Sequence, residues 1–157
     1  MRTIATIGVY DSSLEEFLGK LRRHHVVLVV DVRQRRGVRG PQYAWANSLR
    51  LQAALEKAGV AYRHRLDLAP TTELRQLQYR EDDRLGVGKR SRVELAVEYR
   101  RHYLTEILDR VNLRAFLESL PDGVSALLCV ERDAKACHRS LIAARLHARL
   151  KLPVVEL

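Results

Sequence analysis

At 157 residues the chain has the length of one domain with a sizeable core, and its 46% hydrophobic and 30% charged residues are those of a globular protein. No apolar run approaches the roughly 20 residues that cross a bilayer. The start, Met1-Arg2-Thr3-Ile4, enters a strand pattern without a secretory apolar segment, so the expectation is a cytoplasmic protein with no membrane partner. The net charge of +9 is uneven, because Lys20 to Arg50 holds eight basic residues against one acid, Asp31. Such a stripe points to a polyanion, and an arginine-rich surface with no dedicated partner is the bland alternative.

Arg2–Gly8 is apolar and β-branched and reads as a first strand. Ser12-Ser13 followed by Glu15-Glu16 forms a capping box, and Leu14, Phe17, Leu18 and Leu21 give the ensuing helix its apolar face. Val26–Val30 is a continuous apolar run, suited to a strand buried on both faces of a parallel sheet, and it ends in Asp31. A loop rich in Arg, Gly and Pro spans Val32–Tyr43. A helix over Asn47–Ala58 follows, closed by Gly59. Val60–Leu66 alternates as a less buried third strand, and Pro70 turns the chain into a short helix from Thr72.

Arg80–Arg90 reads as a charged, Gly-containing mobile loop, and Ser91 with Glu94 as a second capping box that opens a long helix to Leu108. Leu113–Leu120 is a short helix and Pro121-Asp122-Gly123 a turn. Val124–Val130, His138–Leu150 and Pro153–Leu157 complete the pattern as strand, helix and strand. Strands alternating with helices predict an α/β fold: a single-domain, Rossmann-like three-layer sandwich over residues 1–157 with a mostly parallel sheet of about five strands. No G-x-G-x-x-G fingerprint is present, which disfavours a dinucleotide, and the sequence names no cofactor.

Ligands of open α/β sheets bind beyond the carboxyl ends of the strands, so chemistry is sought in the loops after the second and fourth strands. In the first loop Asp31 is a candidate acid–base or ribose-binding carboxylate, or simply an orienter of local backbone and of Arg33. Arg33, Arg35, Arg36 and Arg39 are candidate phosphate ligands, with Gln42 for hydrogen bonding and Tyr43 for stacking on a base. Trp45 reads better as a packing anchor for the following helix.

In the second loop Glu131 is a candidate acid–base group, and Arg132 a ligand-binding residue or an ion-pair partner of Asp133. Cys137 stands at a helix entrance, where a thiol is activated, though packing of the cap explains it equally. His138 is a candidate acid–base group, although a histidine adjacent in sequence on a helix points away from Cys137. Arg139 and Ser140 suit a phosphate at the helix start, and Arg139 is the strongest anion-binding candidate. Cys129, within the apolar run, reads as a buried small hydrophobe. The two cysteines lack the paired spacing of a zinc site, and no metal is expected. Tyr99, His102 and Tyr103 form a helical stripe best explained by packing, and His24-His25 a solvated turn.

Several motifs in order resemble the bacterial and archaeal family known as domain of unknown function 488. They are Thr6-Ile7-Gly8, Ser13-Leu14-Glu15-Glu16-Phe17, Asp31-Val32-Arg33, Pro41-Gln42-Tyr43, Gly59-Val60-Ala61-Tyr62, Leu127-Leu128-Cys129-Val130-Glu131-Arg132-Asp133 and Cys137-His138-Arg139. The chain departs from the resemblance at Val9-Tyr10, where relatives carry Tyr or His and then Ser, and at Leu68-Ala69-Pro70, where Leu-Gly-Gly is common. The resemblance implies a fold and a site without implying a reaction.

These readings lead to a nucleic-acid-binding (including DNA-binding) or nucleic-acid-processing protein with a phosphate site at the strand ends. The alternatives are an enzyme acting on a nucleotide or other phosphorylated small molecule, a thiol-dependent enzyme of rhodanese type, and a non-enzymatic binding module. The Cys-to-Arg spacing of thiol phosphatases is missing, since Lys135 stands six residues after Cys129.

Overall fold

Residues 1–157 are all described by the structure, a computed structural model. The apolar segments become five strands: β1 (Arg2–Ile7), β2 (Val26–Asp31), β3 (Ala61–His64), β4 (Gly123–Leu128) and β5 (Val154–Glu156). Every pairing is parallel and the order is β3-β2-β4-β1-β5. The burial of each strand follows its place. Inner strands β2 and β4 carry Val29, Val30, Ala126, Leu127 and Leu128 out of solvent, while edge strand β3 is half-buried and β5 exposed.

The helices are α1 (Leu14–Arg23), α2 (Ser48–Lys57), α3 (Thr72–Leu85), α4 (Val97–Glu106), α5 (Leu113–Ser119) and α6 (Arg139–Leu150). The α1 start is the expected capping box: Ser13 Oγ accepts from Glu16 N at 3.1 Å, and Glu16 Oε1 accepts from Ser13 N at 3.3 Å. Phe17 and Leu21 of α1, Leu51 and Leu55 of α2, and Ile142 and Leu146 of α6 turn their apolar faces into one core. No helix is long and apolar enough to cross a membrane.

Two boundaries differ from the sequence expectation. The charged segment from Arg80 is not a loop at its start: α3 runs through it to Leu85 and stops at Gly86, whose φ of 70° terminates the helix in the left-handed region. The helix expected at Ser91 starts only at Val97. Ser91 Oγ turns back to accept from Gly88 N at 3.0 Å, and Gln78 Oε1 accepts from Ala96 N at 2.8 Å. Gln78, a buried side chain of α3, thus serves the N–H group at the entry to α4, and the Ser91 hydroxyl is used in a turn instead of a cap.

The topology creates one crevice. From β2 the chain crosses through α2 towards β3, while from neighbouring β4 it crosses through α6 towards β5, on the other side. Right-handed crossovers in opposite directions lie on opposite faces of the sheet, so the β2 and β4 carboxyl ends part at a topological switch point. Their loops are stitched to the end of β1, since Val9 N and Tyr10 N both donate to Val130 O, at 3.0 and 2.9 Å. Gly8 permits this approach. A Cβ there would overlap the Glu131 carbonyl oxygen and reach Arg132 Cα at 3.1 Å.

Gly8→Ala should therefore lower stability by about 1–3 kcal/mol, the range for overpacking against a rigid backbone. Urea unfolding checks it, and an unchanged midpoint would mean that the β1 and β4 ends are not held together in this way.

Candidate functional site

Beyond the β2 and β4 ends lies a cleft of about 670 Å³, within the size range of small-ligand pockets. Its walls come from three places: the loop after β2 (Arg33, Arg35, Arg39), the loop after β4 (Cys129, Glu131, Cys137, His138), and α3 with the segment leading to α4 (Arg75, Lys89, Arg90, Arg92). Tyr10, from the end of β1, and Pro70 also line it, so both departures from the family motif touch the cleft.

The two main loops are joined by one hydrogen bond, from His138 Nε2 to Val32 O at 2.8 Å. A carbonyl oxygen only accepts, so Nε2 carries the proton and Nδ1 is turned the other way. Nδ1 lies 3.5 Å from Cys137 Sγ and 3.9 Å from Cys129 Sγ. Cys137 adopts an extended backbone (φ −141°, ψ 150°) ahead of α6. This is how two adjacent residues turn their side chains to the same place, against the helical expectation. Burial disfavours the His138 imidazolium, yet Cys129 and the Val32 carbonyl outweigh it and the net pKa is raised. The Cys137 thiol, with burial, pushes Cys129 up to about 12. Cys129 is therefore a thiol, and not a nucleophilic thiolate, at neutral pH.

Glu131 is buried and its Oε2 accepts from Cys129 Sγ at 3.3 Å. Its Oε1 accepts from Arg92 Nη2 at 2.8 Å. Burial raises the Glu131 pKa, with Cys129 adding to the shift and Lys89 and Arg92 opposing it. Arg92 is itself buried and is held by Asp82 Oδ2 at 2.6 Å and Ala136 O at 3.1 Å. Burial weakens its charged form, but Glu131 and Asp82 prevail and the pKa rises.

A second buried ion pair closes the β2 end. Asp31 accepts from Arg33 Nε at 2.9 Å, Arg33 Nη2 at 2.8 Å, Arg33 N at 3.1 Å and the Tyr62 hydroxyl at 2.6 Å. Arg33 Nη1 donates to Ala46 O at 2.9 Å. Asp31 is fully enclosed and lies outside the cleft lining, which corresponds to the orienting role and not to an acid–base one. Arg33 reaches the cleft wall with its guanidinium already engaged by the protein.

The other candidates separate by place. Arg35 and Arg39 line the cleft, exposed and without a side-chain hydrogen bond or ion pair. Arg36 donates to the Tyr62 hydroxyl at 3.3 Å and Gln42 is exposed, both outside the lining. Tyr43 is not a free stacking surface: its ring packs on Tyr10 with centroids 5.3 Å apart, and its hydroxyl accepts from Asp11 N. Arg132 is exposed, 3.3 Å from Asp133 and 3.6 Å from Asp11. Ser140 Oγ donates to Cys137 O at 2.8 Å.

Arg139 needs correction as an anion ligand. It is 1% exposed, outside the cleft lining, and its terminal nitrogens donate to Glu131 O and Arg132 O. It shapes the loop from inside. Nor is the basic stripe one surface, because Arg22 and Arg50 line a separate groove between α1 and α2.

Sequence reasoning passed over Lys89, Arg90 and Arg92, which reach the cleft from a segment read only as a charged loop and helix start. Arg90 lies over the rings of Tyr43 and Tyr10, 5.1 and 5.3 Å from their centroids, and donates to Arg39 O at 2.9 Å. Tyr103 packs against His138 with ring centroids 5.4 Å apart, and its hydroxyl donates to Leu68 O at 2.6 Å. Tyr99 lines the cleft, while His102 is turned towards Glu98 and Glu106. Trp45 packs on Phe17 with centroids 5.0 Å apart.

Residues 13–146 match the family model described as Domain of unknown function DUF488. The chain belongs to this family. The matched stretch runs from the α1 capping box into α6 and includes every cleft residue named above except Tyr10. No curated protein and no solved structure matches the chain.

Replacing Asp31 by Ala should cost about 3–5 kcal/mol by stranding the buried Arg33 guanidinium, whereas Arg132→Ala, at an exposed pair, should cost less than about 1 kcal/mol. Chemical denaturation of the two variants checks this, and equal costs would contradict the division into enclosed and exposed pairs.

Proposed function

We propose, with that membership as premise, that this protein binds nucleic acid at the cleft and takes one nucleotide unit into it. The observation that carries the reading is the composition of the mouth. Arg35, Arg39 and Lys89 have no hydrogen bond or ion pair from their side chains, and Arg90 lies beside them with only a carbonyl and two rings as partners. Exposed cations with no carboxylate in contact, as Arg35 and Arg39 are, are where phosphates exchange for condensed counterions. Lys89 is half-buried; burial works against its charge, but Glu131 overrides this and keeps the ammonium protonated.

Tyr79 is the half-buried aromatic ring of the lining, with Arg75 5.7 Å from its centroid, while Tyr10 and Tyr99 line the cleft with rings buried against Tyr43 and Tyr103, and Glu131 and His138 line it as well. An aromatic ring, a carboxylate and an imidazole on one lining are the groups that stack on a base and move a proton, as a protein that processes nucleic acid requires. The thiol-dependent alternative gains nothing from Cys129, whose elevated pKa keeps its sulfur protonated, and rests on Cys137 alone. A free nucleotide or phosphorylated small molecule is the second reading, and the limited cleft volume of about 670 Å³ is what favours it.

Fluorescent single- and double-stranded oligonucleotides titrated over a range of salt test the reading. Affinity should fall linearly on a log–log scale of salt, and Arg35→Ala with Arg39→Ala should flatten that slope by about 2, one unit for each lost phosphate contact. Absence of oligonucleotide binding at low salt, with thermal stabilisation by mononucleotides, would transfer the assignment to the small-molecule reading. Absence of both would overturn it.

A further inference from the structure

Two thiols and an imidazole meet at the cleft floor in a way that hydrophobic packing does not require. Cys129 Sγ, Cys137 Sγ and His138 Nδ1 all lie within 4.8 Å of one another, with the two sulfur–nitrogen separations at 3.9 and 3.5 Å. Tetrahedral zinc, with Zn–S near 2.3 Å and Zn–N near 2.0 Å, places its donor atoms about 3.5–3.8 Å apart. The two sulfur–nitrogen edges are close to that length, and the sulfur–sulfur edge lies within 4.8 Å. It is assembled across the fold, from the end of β4 and from the extended residue and helix cap ahead of α6.

The second observation is the orientation of His138. Its Nε2–H is fixed on Val32 O at 2.8 Å, so Nδ1 is presented to the two sulfurs. A metal-binding histidine is ordinarily held in this manner, with its distal N–H on a carbonyl or carboxylate. Tyr103 packs against the imidazole and limits its swing.

We propose that Cys129, Cys137 and His138 form a three-donor site for a divalent zinc-type ion, with the fourth coordination position open to the cleft. All three residues line the cleft, which supplies both the entry path and the open position. Two sulfurs and one imidazole nitrogen select a borderline-soft ion over magnesium or calcium, which take oxygen donors. On binding, each thiol gives up its proton to solvent and both sulfurs coordinate as thiolates. The dication and two thiolates sum to no net charge, so the ion adds no buried excess, while Glu131 gives up the hydrogen bond from the Cys129 thiol and keeps its bond from Arg92, which it shares with Asp82. Three protein donors and a free position are the arrangement of catalytic zinc sites, where the ion activates water or polarises a substrate oxygen. The site stands on the geometry of the floor and does not depend on which ligand occupies the mouth.

The test uses the reduced full-length chain. Competition against a chromophoric chelator should show one zinc per chain, with two protons released into a weakly buffered solution. Cobalt(II) in place of zinc should give the intense visible bands of a tetrahedral ion and a near-ultraviolet sulfur-to-cobalt charge-transfer band. Cys129→Ser, Cys137→Ser and His138→Gln should each weaken zinc by more than the roughly 10- to 100-fold that an outer-shell partner costs. Should a variant fail to fold, alkylation of the wild-type thiols decides: zinc should protect both cysteines, and a chelator should restore their labelling. No stoichiometric zinc on the reduced wild type, a cobalt spectrum without thiolate charge transfer, or equal alkylation with and without zinc would overturn the site.

Discussion

The hydrogen bond from His138 to the Val32 carbonyl, 2.8 Å long, is the contact on which the site depends. It spans the point where the chain leaves β2 in one direction and β4 in the other, and it closes the base of the cleft that this parting opens. It also fixes the imidazole, and through it the positions of both sulfurs relative to a single nitrogen. The bond exists because β2 and β4 are neighbours in register, with Asp31 opposite Leu128, so residues 106 positions apart leave the sheet side by side. Arg139 reinforces it from beneath by donating to the carbonyls of Glu131 and Arg132, which holds the second loop in its curved path.

Charge is divided between a buried layer that is paired and a rim that is not. Asp31 with Arg33, and Arg92 with Asp82 and Glu131, are enclosed pairs whose members satisfy one another and nearby carbonyls. Removing one partner from such a pair costs several kcal/mol, but the pairs themselves add little net stability. Their effect is positional. Arg33 ties the β2 end to the turn carrying Ala46, and Arg92 ties the approach to α4 against both α3 and the loop after β4. Arg35, Arg39 and Lys89 line the cleft with no hydrogen bond or ion pair from their side chains, although Glu131 acts on the charge of Lys89. An arginine count does not separate the two populations, although only the first has its charge already engaged by buried carboxylates.

Much of the fold was legible because apolar period and capping chemistry act locally. The unbroken run Val26–Val30 marked a strand that is buried on both faces except at Val27, and Ser13 with Glu16 marked the start of α1. Ser91 with Glu94 carries the same local signature, but long-range partners win there: Gln78 from α3 takes the Ala96 N–H, and Arg92 is drawn into the ion-pair cluster. The place of the cleft was legible, and Glu131, Cys137 and His138 do line it, since crevices open after the inner strands of a parallel sheet. The assignment of Arg139 failed because a guanidinium at a helix entrance serves loop carbonyls as readily as phosphate, and burial decides between them. Lys89 and Arg90 carry no sequence signal of their own, for their place at the cleft is set by the packing of α3 and of the Tyr10–Tyr43 pair under Arg90.

The central claim is that the unpaired cations above the β2–β4 switch point hold an anion. Crystals soaked with tungstate, a heavy mimic of phosphate, put it to the most direct test through anomalous scattering. The account predicts a peak in the cleft among Arg35, Arg39 and Lys89. A peak confined to the groove of Arg22 and Arg50 between α1 and α2, with none in the cleft, would contradict it.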